Sequence, residues 1–184
     1  AELHERGRLY LMCIGKNGHE HFKRRGYTLV GDYRGFFQNL AVEPTRSIVN
    51  KVVEGYLEED WDEVNVVYNE FKNTISQNRI VEPFLPIPRE RFVTPVMEED
   101  IEVTVAREEG LAVDYIFEPD ARRILEILVP RYLYFQLWRI LLESNAAEQG
   151  ARMVAMDNAT SNAEDLLRDL RLEYNRARQS AITT

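Results

Sequence analysis

The sequence has little of what most chemistry requires. Among its 184 residues it holds one cysteine, Cys13, and three histidines, His4, His19 and His21. A lone thiol forms no internal disulfide and fits a reducing, cytoplasmic compartment. Cys13 lies inside the apolar run LYLMCIG and reads as a small buried hydrophobe. His19 and His21 stand two apart on a helical stretch, so they face different sides, cannot share a metal and read as a solvated face. Histidines so scattered make no zinc site. Positive charge is also scarce, with 23 Lys and Arg against 31 Asp and Glu and a net charge of −8. That excludes a nucleic-acid partner, because phosphate binding needs a basic face. No apolar run approaches the ~20 residues of a membrane span. The most apolar segment, YLYFQLW, is closely bracketed by Arg131 and Arg139. The first residues, AELHERGR, are charged and helical, unlike a signal peptide.

Catalytic motifs are missing as well. There is no G-x-S-x-G elbow. Gly15-Lys16-Asn17-Gly18 follows a strand and opens a helix, where phosphate loops sit. It matches neither G-x-G-x-x-G nor the Walker spacing, so a plain strand-to-helix turn is the favoured reading. The EED clusters at 58–60 and 98–100 stand in charged, loop-like contexts without a base or nucleophile beside them.

What is present is an alternation of strand and helix signals. RLYLMCIG, YTLVGDY, EVNVVYNEF and RIVEPFLPI read as strands, the last pushed toward a sheet edge by Pro83 and Pro86. NGHEHFKRRG reads as a short polar helix. PTRSIVNKVVEGYLEED reads as an amphipathic one with Ile48, Val52, Val53, Tyr56 and Leu57 on its stripe. Such alternation predicts an α/β fold, a mostly parallel sheet with flanking helices. Residues 89–118 break the rhythm; EDIEVTVARE and GLAVDYIFEP predict a hairpin beside the main sheet. Charge is uneven too. Residues 98–120 hold nine acids against Arg107, whereas 166–184 hold four arginines against Asp169 and Glu173, a basic end suited to an acidic partner.

From Asp120 the pattern turns helical, first up to Pro130. Residues 131–184 then contain one glycine, Gly150, and no proline. As one helix they would span roughly 80 Å at ~1.5 Å per residue, far more than a compact domain uses. From Trp138, steps of four and three reach Leu142, Asn145, Gln149, Met153, Met156 and Thr160. They continue cleanly through Ala163, Leu167, Leu170, Tyr174, Ala177 and Ala181. A spacing averaging about 3.5 marks a coiled-coil seam. The other helical stretches are too short to cover it, so the seam predicts either self-association or a partner helix outside this sequence.

Two segments, EQGARMVAMDNAT and YNRARQSAIT, closely resemble the C-terminal helix of the gamma subunit of the F-type ATP synthase. FKNTISQ, FLPI and DYIFEPD match the same family in the same order, and the resemblance covers essentially the whole chain. It implies a rotor subunit without an active site or cofactor of its own. A Rossmann-like domain over 1–129 would be followed by the shaft helix over 130–184. The shaft would enter the hexamer of alpha and beta subunits, with the head near the epsilon subunit and the c-ring, peripheral on the cytoplasmic face of the bacterial inner membrane. Proton flow would turn the ring and the shaft with it. Relative to that family pattern the first long helix, the first strand with its glycine-rich turn and the last helical turns are expected to be missing, and 89–113 is longer.

The resemblance also implies roles for single residues. Arg178, Gln179 and Thr183 match positions that contact an acidic catch loop on a beta subunit. Tyr115 and Glu118 match positions near the c-ring and epsilon. Arg152 falls where the shaft meets a beta subunit. Two other functions compete: a self-associating coiled-coil scaffold through Ala163–Ala181, and a small flavodoxin-like nucleotide-binding domain using Gly15–Gly18.

Overall fold

The computed structural model describes residues 9–88, 92–98, 118 and 120–183. Strands β1 (Tyr10–Leu11) and β2 (Thr28–Leu29) pair in parallel, Tyr10 opposite Thr28 and Leu11 opposite Leu29. A parallel bridge between Ile14 and Tyr33 extends the pairing. Helix α1 (Lys16–Arg24) makes the crossover between them. Helix α2 (Val42–Leu57) follows a short 3-10 turn at Phe36–Gln38. Strands β3 (Val64–Phe71) and β4 (Gln77–Leu85) then form a second two-stranded sheet.

The expected parallel order holds for β1 and β2 only; β3 and β4 are antiparallel. The cause is the length of their connection. Residues 72–76 are too few for a parallel crossover, which needs a dozen or more. Asn73 closes the turn, its Oδ1 accepting from the Ile75 and Ser76 amides at 3.0 and 2.7 Å. Pro83 sits beside a register shift between Val64 and Asn65, where a residue without an N–H disturbs the ladder least.

Helix α3 runs unbroken from Ala121 to Thr183, 63 residues. It starts ahead of the boundary expected at 130 and passes through Pro130, which lacks the N–H that would bond back four residues and crowds the preceding turn. Immediately beyond, Leu133, Leu137, Ile140, Leu141 and Ala147 are buried and anchor the helix on the head. The main core lies where α2, β4 and α3 meet: Ile48, Val49 and Val52 against Phe84, Leu85, Leu133, Leu137 and Leu141. Tyr68, Ile80 and Ile140 form a second cluster under the hairpin.

Two side-chain expectations change. On α2 the buried stripe is Thr45, Ile48, Val49, Val52 and Gly55; Leu57, expected on it, is 74% exposed at the last turn. Gly55 is buried because Trp61 lies on it: a Cβ there would stand 2.1 Å from Trp61 Cζ2, whose ring is fixed by an Nε1 bond to the Val52 carbonyl at 2.9 Å. His19, read as solvated, is buried, with Nδ1 lacking a hydrogen-bond partner among the described residues. Burial pushes the Cys13 thiol above its ordinary pKa, as fits a half-buried apolar neighbour of α1. The hairpin expected within 89–118 lies largely outside the described residues; of that span 95–98 is helical.

The exposed face of the long helix

Helix α3 carries two apolar faces. The first is the buried one. Two residues around the helix from Ile140, or about 200°, stands Leu142, 41% exposed. Phe135, Met153, Met156, Leu167, Leu170 and Tyr174 are exposed on the same side. Because the helix begins at Ala121, exposed apolar residues at steps of three and four continue upstream as Leu125, Leu128, Tyr132 and Phe135. Arg139, half-buried on the head, separates them from Leu142, Met153, Met156 and the residues beyond. Trp138 and Asn145, at the start of the expected seam, are half-buried on the head instead.

Beyond Val154 every residue from 155 to 183 is exposed. Those turns reach about 43 Å past the head at ~1.5 Å per residue. Ala163, Leu167, Leu170, Tyr174, Ala177 and Ala181 all lie on that free section. Large apolar side chains aligned along an exposed helix section, which no described residue of the head covers, amount to an interface without its other half.

Arg178, Gln179 and Thr183 come together near its tip, all exposed, with Thr183 Oγ1 donating to the Gln179 carbonyl at 2.7 Å. Arg178 leaves a guanidinium, five donors in a fixed plane, facing solvent. Arg152 is far from them, close to the head, and pairs along its own helix with Glu148 and with Gln149 at 3.0 Å. Glu118 is exposed in a bend before α3. Tyr115 lies outside the described residues. Gly15 receives no phosphate-loop geometry beyond the turn itself; its amide donates to the Tyr33 carbonyl at 3.1 Å.

Elsewhere the electrostatics are local. Side-chain hydrogen bonds from Arg34, Nε and Nη2 at 2.8 and 2.6 Å, hold the Asp32 carboxyl down to about 2. Among the described residues no group of three or more His, Cys, Asp or Glu is placed to hold a metal ion. No described helix is long and apolar enough to cross a membrane.

One constellation has no counterpart among the sequence motifs. Glu82, on β4 and 1% exposed, is buried against α3. Its carboxylate accepts from Arg139 Nη2 at 3.1 and 2.9 Å, from the Tyr68 hydroxyl at 2.9 Å and from Gln136. Arg139 continues to Glu143 at 2.9 Å and lies 5.9 Å from the Tyr68 ring centroid. Burial pushes the Tyr68 phenol well above its ordinary range, so it stays a donor. One level along the helix, Gln77 Nε2 donates to the Ala147 carbonyl at 2.9 Å. There Gly150 lets the hairpin close in: a Cβ would stand 3.1 Å from Phe71 Cε2 and 3.5 Å from Thr74 Cα.

The family model described as "ATP synthase" matches residues 1–184. The chain is 63% identical over 183 residues to the ATP synthase gamma chain of Salinibacter ruber, covering 100% of this chain and 59% of the relative. To that of Chloroherpeton thalassium it is 48% identical over 185 residues, with the same coverage. The chain thus spans about three-fifths of the length of these curated relatives. Among solved structures, the central stalk and c-ring of the Tetrahymena thermophila mitochondrial ATP synthase matches with a TM-score of 0.51 at 22% identity, over 82% of this chain and 60% of the other. The rotor of the Euglena gracilis mitochondrial ATP synthase matches with a TM-score of 0.53 at 18% identity, over 93% and 62%. These two share the fold, an α/β head carrying a long C-terminal helix. By its match from end to end, the chain belongs to the ATP synthase family.

Proposed function

We infer that this chain works as the head and C-terminal shaft helix of an ATP synthase gamma subunit, a rotating part with no active site of its own. The observation that carries the reading is the heptad face of α3, exposed along 155–183 in a chain 63% identical to a gamma chain. The head, taken as 1–129, sits by the c-ring and epsilon subunit on the cytoplasmic face of a bacterial inner membrane, with Tyr115 and Glu118 toward them. The shaft, 130–184, rises from the head and enters the ring of alpha and beta subunits with its free section. Its seam is covered by the first long helix of the same subunit. Proton flow turns the c-ring and the shaft, and the asymmetric shaft drives the beta subunits, where ATP is made, through their binding states.

At the tip Arg178, Gln179 and Thr183 grip an acidic catch loop of one beta subunit at a time, and Arg152 touches a beta subunit lower down. The chemistry suits a contact that must break on each turn. A few charge-assisted bonds, each worth about 1.5–3 kcal/mol, hold firmly yet carry no large apolar area that would have to be exposed again.

Arg178→Ala in the full-length subunit tests the tip. ATP synthesis in inverted membrane vesicles should fall several-fold, while complex assembly and the helical circular-dichroism signal stay unchanged. Unchanged synthesis by a fully assembled complex overturns the catch assignment. A stable homodimer of the full-length subunit, joined through Ala163–Ala181, would instead favour a self-associating scaffold.

A further inference from the structure

We propose that Glu82, with Arg139, Tyr68 and Gln136, forms the torque-bearing joint that fixes the angle of the shaft helix to the head; this rests on the rotor reading above. The apolar contacts of α3 hold it down on the head, but burial of apolar surface is non-directional and resists separation more than rolling. Hydrogen bonds weaken steeply with distance and angle. A roll of about 20° would carry a group about 6 Å from the helix axis through about 2 Å, enough to break the bonds that Glu82 accepts from Arg139 and Gln136. The carboxylate draws on three elements at once: its own strand β4, Tyr68 on β3, and Arg139 and Gln136 on α3. A torsional load on the helix is therefore passed to both strands of the hairpin.

Burial sharpens the inference. An ion pair in this position is no better for stability than apolar residues of the same volume. What it adds is direction. The second hold, Gln77 on the Ala147 carbonyl beside Gly150, lies about 12 Å farther along the axis at ~1.5 Å per residue. Two separated polar holds resist tilt as well as roll.

Replacing Glu82→Leu together with Arg139→Met removes the directional bonds without leaving either partner of the pair buried alone, although Glu143, partly exposed, loses its bond to Arg139. The full-length subunit carrying both changes is assembled into the complete enzyme. The catalytic head is fixed to a surface and stalled, and a nanorod attached to the head of this subunit reports thermal angular fluctuation. The expected result is a broader angular distribution, a loss of torsional stiffness, which persists when Tyr68→Phe is added to remove the hydroxyl left without its acceptor. A width equal to that of the unaltered enzyme overturns the joint, because a merely structural network would move the unfolding transition and leave the width alone. Should the double variant fail to assemble, Arg139→Lys, which keeps the charge but not the two-pronged geometry, is read in the same way: a broader distribution supports the joint and an unchanged one overturns it. An unaltered subunit that never turns the nanorod on addition of ATP refutes the rotor reading, and the joint with it. Normal rotation with unchanged stiffness in the variant refutes the joint alone.

Discussion

Replacing Arg139 by methionine strips Glu82 of two of its hydrogen bonds, at 3.1 and 2.9 Å, and of its only ion-pair partner among the described residues. The carboxylate is 1% exposed and cannot turn to water. Breaking a buried pair from one side costs about 3–5 kcal/mol, because a charge is left uncompensated. Tyr68 and Gln136 still donate to Glu82, which places this variant at about 3 kcal/mol. Adding Glu82→Leu should recover most of that loss. What then remains is the Tyr68 hydroxyl, buried without its acceptor and worth about 1–3 kcal/mol; a third change, Tyr68→Phe, removes it. Urea unfolding of the full-length subunit, followed by the fluorescence of Trp61 and Trp138, gives all three values, with m held constant as a check on the unfolded state. A loss below about 0.5 kcal/mol for Arg139→Met alone would refute the reasoning, since ordinary exposed substitutions stay within that range. A double change as harmful as the single one would refute it equally.

Gly55→Ala should destabilise by about 1–3 kcal/mol as Trp61 is pushed out of its seat, with a red shift of its fluorescence; an unshifted spectrum would mean the ring is not packed there. Asp32, held down to about 2 by Arg34, favours the folded state above its unfolded pKa, and loses that contribution as pH falls through about 2. A carboxyl NMR titration with its midpoint near the ordinary ~3.9 would show the pair does not persist in solution. In the isolated chain, amides from Ala163 to Ala181 should exchange much faster than those from Leu133 to Ala147, because a lone helix draws most of its stability from packing. Uniformly slow exchange in a proven monomer would contradict the uncovered face.

Local chemistry makes most of the elements readable, and long-range pairing hides the rest. The β-branched run at Val64–Phe71 and the amphipathic stretch at Val42–Leu57 fold as their patterns predict. The antiparallel hairpin is also legible, since the five residues at 72–76 cannot make a crossover. Strand–helix alternation elsewhere points instead to a parallel sheet. Taking Pro130 as a stop cuts Leu125 and Leu128 off from the seam, although the helix runs on through the proline, its next turns held down by Leu133 and Leu137. His19 looks solvated because its helix is mostly polar, yet it is the residue of that helix that is buried. Glu82 and Arg139 do leave a trace, as single charges inside the apolar runs IVEPFL and LYFQLWRILL. Nothing local pairs two residues 57 apart in the chain. The tip residues Arg178, Gln179 and Thr183 stand out through resemblance alone, and an exposed helix end adds only that they are accessible.

The single helix that bears one stripe for the head and another for an outside partner also imposes a rule on how its length can vary. One residue inserted between Ala147 and Met153 would turn the outer stripe about 100° against the inner one. Seven would turn it by only about 20°. Insertions and deletions in that stretch should therefore be tolerated only in whole heptads, which makes the segment a phase gauge: chain length there sets an angle, while length gained or lost beyond Ala181 changes only reach.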